Sequence, residues 1–339
     1  MQPYLIDADA IARWATARGY RKLLFQAPDG IKRFLIETAR ELEEREFEIA
    51  LSGSHAWGGC DVALTELTTL CYDALVHVGH HGPVRFRAPE NVLFVPAYST
   101  ADVNNVIENA AAKLSSEGVR AVGLLSTVQH LHKLEQARQL LLEYGIKAFT
   151  SKSPDPMMPE GLVIGCDSRA AEKLVGSVEA FLVVAGGIFH ALGVALATGG
   201  RTFAADPYTG RVVEVDQLLR SIVAKRLAHL AAVMESQNGI LVVSSKPGQR
   251  ACKLRVDALL KSCLERGLKL WLVIFDEVSH DALLDYGGAE VFVNAACPRL
   301  SIDDPHVFPG PVVNASELET VLKNGLAAYE PRLALQPFV

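Results

Sequence analysis

The sequence predicts an α/β protein made of three similar α/β lobes, each a short parallel sheet covered by helices. Two observations predict this. A unit of apolar run, amphipathic segment and second apolar run occurs three times along the chain. The apolar runs are nearly continuous rather than alternating, which is the pattern of strands buried on both faces by helical layers.

The first unit opens with Lys22-Leu-Leu-Phe-Gln26 and turns at Pro28-Asp-Gly30. It continues as a helical pattern through Glu46 and closes in a second apolar run, Phe47–Leu51. The second unit has Ala121-Val-Gly-Leu-Leu125, a helix from about His130 to Tyr144, and Ile146–Phe149. The third has Gly239-Ile-Leu-Val-Val243, a helix from about Arg250 to Arg266, and Leu268–Phe275. Each reads as strand, helix, strand with a right-handed crossover. Boundaries fall near 100–118 and 207–215, the latter at the turn-rich Asp206-Pro-Tyr-Thr-Gly210. The expected lobes are 1–105, 106–210 and 211–339. The tail from Pro331 carries two prolines and is expected to wrap over a surface without forming an element.

A chain of 339 residues, half of them apolar, suffices for two or three domains. Lys plus Arg number 33 against 39 Asp plus Glu, a net charge of −6 with no long basic run. That balance argues against nucleic-acid and anionic-membrane binding, and Arg85–Arg87 reads as a solvated loop. The N-terminus has no basic segment leading into an apolar one. The longest apolar stretch, Phe181–Ala197, is broken by Gly186-Gly187, His190 and Gly193, too interrupted for a membrane span. A soluble, cytoplasmic protein is expected.

Six cysteines, at 60, 71, 166, 252, 263 and 297, would then meet a reducing compartment where structural disulfides are rare. No two form a C-x-x-C pair, which argues against a structural zinc site. One cysteine per unit follows a strand in a loop-like context. These are Trp57-Gly-Gly-Cys60-Asp61, Cys166-Asp167 after a strand Leu162–Gly165, and Asn294-Ala-Ala-Cys297-Pro298 after a strand Glu290–Val293. Cys60 and Cys166 precede helical patterns, Asp61–Leu70 and Ser168–Val175, and a helix start favours thiolate, the form that iron binds. Glycines at 58, 59 and 165 let the backbone approach a bulky group. Cysteine is often simply buried, so spacing alone leaves three unrelated core residues as an alternative. The repeat favours convergence. Cys60, Cys166 and Cys297 would meet on a pseudo-threefold axis and hold a central 4Fe–4S cluster by three corners, leaving the fourth iron open, as in catalytic metal sites. Cys252 and Cys263 fall on one helical stripe with Val256, Leu259 and Leu260, and Cys71 lies beside Leu70, so packing explains these three.

Polar motifs stand at predicted strand ends, where ligands bind in open α/β sheets. They are His77-Val-Gly-His80-His81, Thr127-Val-Gln-His130, Lys246-Pro-Gly-Gln249 and Arg299-Leu-Ser-Ile-Asp303. The three histidines fit no specific zinc signature and read equally as incidental to a surface loop. Gln129-His130 could cap the following helix. Arg299, two residues from Cys297, is the first choice for binding a cofactor carboxylate, and Gln249 the second, for neutral hydrogen bonds. No G-x-G-x-x-G or Walker-type loop is present.

These motifs resemble an archaeal-type diphthamide biosynthesis enzyme, the 2-(3-amino-3-carboxypropyl)histidine synthase family. The resemblance runs from Gln26-Ala-Pro-Asp-Gly30 to Asp304 and is most specific at Val293-Asn-Ala-Ala-Cys-Pro-Arg-Leu-Ser-Ile-Asp303. Gly59-Cys60-Asp61, Ile164-Gly-Cys-Asp167 and Asp206-Pro-Tyr208 support it. It implies three domains sharing one 4Fe–4S cluster, with S-adenosylmethionine as co-substrate on the open iron. It further implies cleavage of the sulfur–γ-carbon bond to a 3-amino-3-carboxypropyl radical, which adds to imidazole C2 of a histidine on translation elongation factor 2. An electron donor and a homodimer are implied as well. The C-x-x-x-C-x-x-C loop of the usual radical S-adenosylmethionine enzymes is absent. Two other readings keep the same cysteines. One is a quinolinate-synthase-like enzyme whose open iron acts on a small metabolite. The other is a cluster-bearing accessory subunit without catalysis.

Overall fold

The computed structural model describes residues 3–339; Met1 and Gln2, where the expected first lobe begins, lie outside the described residues. Its strands are, in chain order, β1 (Tyr4–Leu5), β2 (Lys22–Gln26), β3 (Glu48–Leu51), β4 (Ala74–Val78), β5 (Val92–Val95), β6 (Tyr98–Ser99), β7 (Ala121–Ser126), β8 (Lys147–Phe149), β9 (Ala180–Val184), β10 (Thr202–Asp206), β11 (Arg211–Glu214), β12 (Asn238–Ser244), β13 (Lys269–Phe275), β14 (Val291–Asn294) and β15 (Val312–Asn314). They form three main sheets, in the orders β3-β2-β4-β5, β11-β10-β9-β7-β8 and β13-β12-β14-β15, and a small antiparallel pair, β1 with β6. Every pairing in the three sheets is parallel except β10 with β11. Each sheet's first four strands therefore follow one order: second, first, third, fourth.

The central strands are buried because helices cover both faces. All five residues of β4 and of β9 are buried. On the first sheet, Leu23, Phe25, Ala74 and Val76 pack with Ile11, Leu35 and Leu42 on one face. Leu24 and Leu75 point the other way and meet Val62 and Leu67. Alternation along a strand thus feeds two apolar layers, which is why these strands read as continuous runs. Each fully buried leucine contributes about 1.5–3 kcal/mol to this packing.

Several elements differ from the sequence reading. The interrupted stretch Phe181–Ala197 contains β9, a turn at Gly187 with φ of +68°, and the helix Phe189–Thr198. Leu162–Gly165 is no strand; Leu162 makes a single bridge to Ser126. Arg211–Glu214, expected to open the third lobe, is the edge strand of the second sheet, because the turn before it folds back as a hairpin. Cys60 and Cys166 both lie between the second and third strands of their sheets, whereas Cys297 follows the third strand of its own. The loop of the third sheet that corresponds to Cys60 carries Asp276 and Glu277 instead. The C-terminal tail forms a 3₁₀ turn, Pro331–Leu335, with Ala334, Leu335 and Phe338 buried.

Beneath Cys297 the third sheet carries a buried polar network. Arg226, on the helix Asp216–Glu235, forms a two-pronged ion pair with Glu317 and donates to the carbonyls of Ser301 and Val312, each at 3.0 Å. Glu317 also accepts from the Asn314 N–H at 2.7 Å, half of a capping box at the helix Ala315–Asn324. Both charges are fully paired, so removal of either partner would strand the other in the core at about 3–5 kcal/mol. Among the described residues no helix is long and apolar enough to cross a membrane.

Candidate metal centre

Each cysteine loop is shaped by its own sheet and fastened from elsewhere. Cys60 follows Gly59, whose missing Cβ makes room for the Gly82 carbonyl; a Cβ there would lie 2.0 Å from that oxygen. The Cys60 carbonyl accepts from the Gly248 N–H of the third-sheet segment at 2.9 Å. Cys166 sits in a tight loop closed by reciprocal Ile164–Asp167 main-chain bonds of 3.1 Å. Its carbonyl accepts from Arg85 Nη2 at 3.2 Å, and that of Gly165 from Arg299 Nη1 at 3.0 Å. Arg85 holds a left-handed backbone, φ +63°, a strained conformation for a side-chain-bearing residue. Cys297 is set by Asn294 Nδ2, which donates to its carbonyl at 2.8 Å, while Asn314 Nδ2 donates to Pro298 O at 2.9 Å.

The fold brings Cys60, Cys166 and Cys297 within electrostatic reach of one another. Burial, then the neighbouring Cys297 and Cys166, push the Cys60 thiol up to about 12. Burial, then Cys166, push Cys297 up to about 11. The other cysteines lie apart from this group. Cys263 is a core residue with Val256 and Leu259, Cys71 is exposed, and Cys252 opens the helix Lys253–Leu264.

Among the described residues, no group of three or more His, Cys, Asp or Glu side chains is placed to hold a single metal ion. A cuboidal cluster separates its ligands further than one ion does. The donor set fits such a group. Three soft sulfur ligands meet here; burial and neighbouring negative charge disfavour the thiolates of Cys60 and Cys297, and bound iron would offset both. Gln249 Nε2 lies 3.5 Å from Cys60 Sγ, so one sulfur already has an N–H donor.

A cavity of about 430 Å³ opens beside Cys297, walled by Trp57, Phe189, Lys246, Gln249 and Arg299, with Asp276, Glu277, Asp303 and Asp304 also on its lining. A second cavity of about 410 Å³ reaches Cys166 and is lined by Arg85, Arg169 and tail residues including Arg332 and Gln336.

Arg299 lines the first cavity, but its fork is closed on Asp303, with Nε–Oδ2 at 2.5 Å and Nη2–Oδ1 at 2.8 Å. Nη2 also donates to Phe189 O at 2.8 Å, and the guanidinium lies 3.8 Å from the centre of the Phe189 ring. Its geometry is that of a staple between the second- and third-sheet segments, with one Nη1 hydrogen left over. Lys246 lies 3.1 Å from the buried Asp61 Oδ1, an ion pair by distance though not aligned as a hydrogen bond. Asn314, Glu317 and Arg226 were not legible as parts of a site; only the Asn314-x-x-Glu317 capping-box spacing hinted at them.

The histidine motif is neither a metal site nor a surface loop. His77 is buried in β4, its Nδ1 is 3.0 Å from Gln26 Oε1 and its Nε2 2.7 Å from His80 Nδ1. Gln26 Oε1 also accepts from the Ala63 N–H, so it is the acceptor for His77 Nδ1–H. His77 Nε2 then accepts from His80 Nδ1–H. Gln129 does not cap its helix; its amide donates to Gly79 O at 2.9 Å.

The family model for diphthamide synthesis proteins matches residues 27–330. The 2-(3-amino-3-carboxypropyl)histidine synthase of Pyrococcus horikoshii is 31% identical over 306 residues, covering 90% of this chain and 86% of that protein. Subunit 1 of the human 2-(3-amino-3-carboxypropyl)histidine synthase is 27% identical, covering 90% and 68% respectively. The crystal structure of Dph2 from Pyrococcus horikoshii with a 4Fe–4S cluster matches with a TM-score of 0.83 at 28% identity, over 94% of this chain and 91% of that one.

Burial keeps the interior histidines neutral. It lowers His80 and His130 to about 4, His190 to about 3, and His77 well below its ordinary value. Each binds its proton more weakly when folded than when unfolded, near 6.5. Their effect on stability is absent above about pH 6.5 and grows as a penalty on acidification from there towards pH 4. The urea midpoint is expected to fall over that window. His130, buried with neither ring nitrogen bonded, supplies the control: His130→Phe should fall less steeply. An identical slope in the variant would contradict its neutral burial.

Proposed function

The chain belongs to the diphthamide synthesis protein family, and we propose that it transfers the 3-amino-3-carboxypropyl group of S-adenosylmethionine to imidazole C2 of a histidine in translation elongation factor 2. The observation that carries this reading is the grouping of Cys60, Cys166 and Cys297 beside a cavity, in a chain whose solved relative holds a 4Fe–4S cluster. In this reading the three thiolates hold such a cluster. When bound and reduced, such a cluster would supply the one electron that cleaves the sulfur–γ-carbon bond of S-adenosylmethionine, releasing methylthioadenosine and the 3-amino-3-carboxypropyl radical.

The chain's own residues do the positioning. The cavity beside Cys297 has the size of a small-molecule site, and Trp57 and Phe189 give it apolar walls for an adenosyl group. Asp276, Glu277 and Asp304 suit the sulfonium and ammonium charges of the co-substrate, Asp303 being paired with Arg299. Arg299 fixes the Phe189 wall and retains one N–H for the methionine carboxylate; Gln249 belongs to the same lining. Holding the reacting carbon against a docked histidine before cleavage is what directs the radical to that histidine. The lobes 1–105, 106–210 and 211–339, with β11 assigned to the second, would surround the cluster in a pseudo-threefold arrangement. A cytoplasmic electron donor would reduce it.

The test is anaerobic reconstitution followed by incubation with dithionite, S-adenosylmethionine and elongation factor 2 of the same organism. Mass spectrometry should show one aminocarboxypropyl adduct on one histidine. Ala variants of Cys60, Cys166 and Cys297 should each lose iron and adduct, whereas those of Cys71, Cys252 and Cys263 should keep both. Turnover of a small metabolite without adduct would favour the quinolinate-synthase-like reading. An intact cluster with no product from S-adenosylmethionine would favour an accessory subunit.

The homodimer expected for this enzyme has a candidate interface. β13 is an unpaired sheet edge, with Trp271 58% and Ile274 67% exposed. Such an edge invites pairing with another strand. Antiparallel pairing with a second copy about Val273 would set Leu272 opposite Ile274 on one face of the joined sheet, covering two exposed apolar side chains. Light scattering should then find a dimer for the native chain and a monomer for Ile274→Lys. A dimeric Ile274→Lys variant would place the interface elsewhere.

A further inference from the structure

The Lys246-Pro-Gly-Gln249 turn follows β12, yet its contacts are with the Cys60 loop, 189 residues from Gln249 in sequence. Three successive contacts reach that loop. Lys246 Nζ pairs with the buried carboxylate of Asp61 at 3.1 Å. The Gly248 N–H donates to the Cys60 carbonyl at 2.9 Å. Gln249 Nε2 donates to Cys60 Sγ at 3.5 Å. Gly248 is a glycine because nothing else fits. A Cβ would lie 2.6 Å from Cys60 Cα and 2.1 Å from the Val84 carbonyl, both parts of rigid main chain.

From this geometry we propose that the Lys246–Gln249 turn is the positioning device of the first cluster ligand, and that the Gln249 amide sets the cluster's reduction potential through its bond to Cys60 sulfur. The proposal rests on the cluster reading above. The charge ledger decides the sign. Reduction adds one negative charge to the cluster, spread largely over its sulfurs. An N–H aimed at a ligand sulfur stabilises that extra charge more than it stabilises the oxidised state, so it raises the potential. The Lys246–Asp61 pair is internally neutral and fixes the loop; it contributes placement rather than net charge. Gln249 therefore acts on the cluster through Cys60, beyond the neutral hydrogen bonds to the co-substrate for which its sequence position made it a candidate.

Two substitutions test the two halves of the proposal in the full chain, reconstituted with iron and sulfide. Gln249→Met keeps side-chain length and removes the donor. Its four-iron content should match the native chain, while its midpoint potential, followed by electron paramagnetic resonance, should move to a lower value. Gln249→Leu, neutral and without a donor, carries the same test if the Met variant does not retain iron. Gly248→Ala should retain the native circular dichroism spectrum but lose iron faster to a chelator. Loaded Gln249 variants at the native potential, or a Gly248→Ala chain that keeps iron as well as the native one, would overturn the proposal. A native chain that takes up no cluster, or a Cys60→Ala chain that keeps one, would instead overturn the ligand assignment beneath it.

Discussion

The Cys60 carbonyl accepts from Gly248, the Cys166 carbonyl from Arg85, and the Gly165 carbonyl from Arg299. In each bond the donor belongs to a segment far away in sequence, on or beside a different sheet. A parallel sheet can present a loop at the end of its strands, but it cannot by itself aim that loop at a thiol on another sheet. These bonds supply the aim. Each is worth only about 0.5–1.5 kcal/mol net, or about 1.5–3 where a guanidinium donates. Their weight lies in geometry: with them, three loops that vary independently become one interior. Cys297 differs, since its loop is set within its own sheet by Asn294 and Asn314, which in turn stand on the Arg226–Glu317 pair.

Such an interior is electrostatically unfavourable to thiolates. Burial and mutual repulsion raise Cys60 and Cys297 far above an ordinary thiol. The nearby histidines stay neutral and provide no countercharge. What opposes this is the Gln249 amide at Cys60 and, at Cys297, the Arg299 main-chain N–H together with the cations of Arg85 and Arg299. Iron would supply the missing positive charge, so the donor set is one that a bound cluster would stabilise. The cavity beside Cys297 is walled by aromatic rings and acidic side chains.

The α/β character was legible because strands buried on both faces leave unbroken apolar runs, as at Leu23–Phe25 and Ile240–Val243. The three cysteines stood out from the others because they follow glycine or precede proline in loops, while Cys263 falls on a helical stripe. The second sheet was read least well. Its β9 and β10 flank the helix Phe189–Thr198, and the run looked like one broken apolar segment. The strand expected before Cys297 is present as β14, whereas the one expected before Cys166, Leu162–Gly165, is absent, so the two loops are not equivalent in their sheets. What a single sequence cannot carry is pairing across its length. That Lys246 meets Asp61, that Arg299 closes on Asp303 and Gly165, and that Arg85 reaches Cys166 are facts of tertiary packing between unremarkable surface-type residues.

The central claim is that Cys60, Cys166 and Cys297 hold one four-iron cluster and leave one iron for S-adenosylmethionine. Mössbauer spectroscopy of the chain reconstituted with ⁵⁷Fe, before and after adding S-adenosylmethionine, tests it most directly. The account predicts a spectrum of one 4Fe–4S cluster in which a single iron site changes when the co-substrate is added. A spectrum that S-adenosylmethionine leaves untouched, or one showing mononuclear or two-iron sites alone, would contradict it.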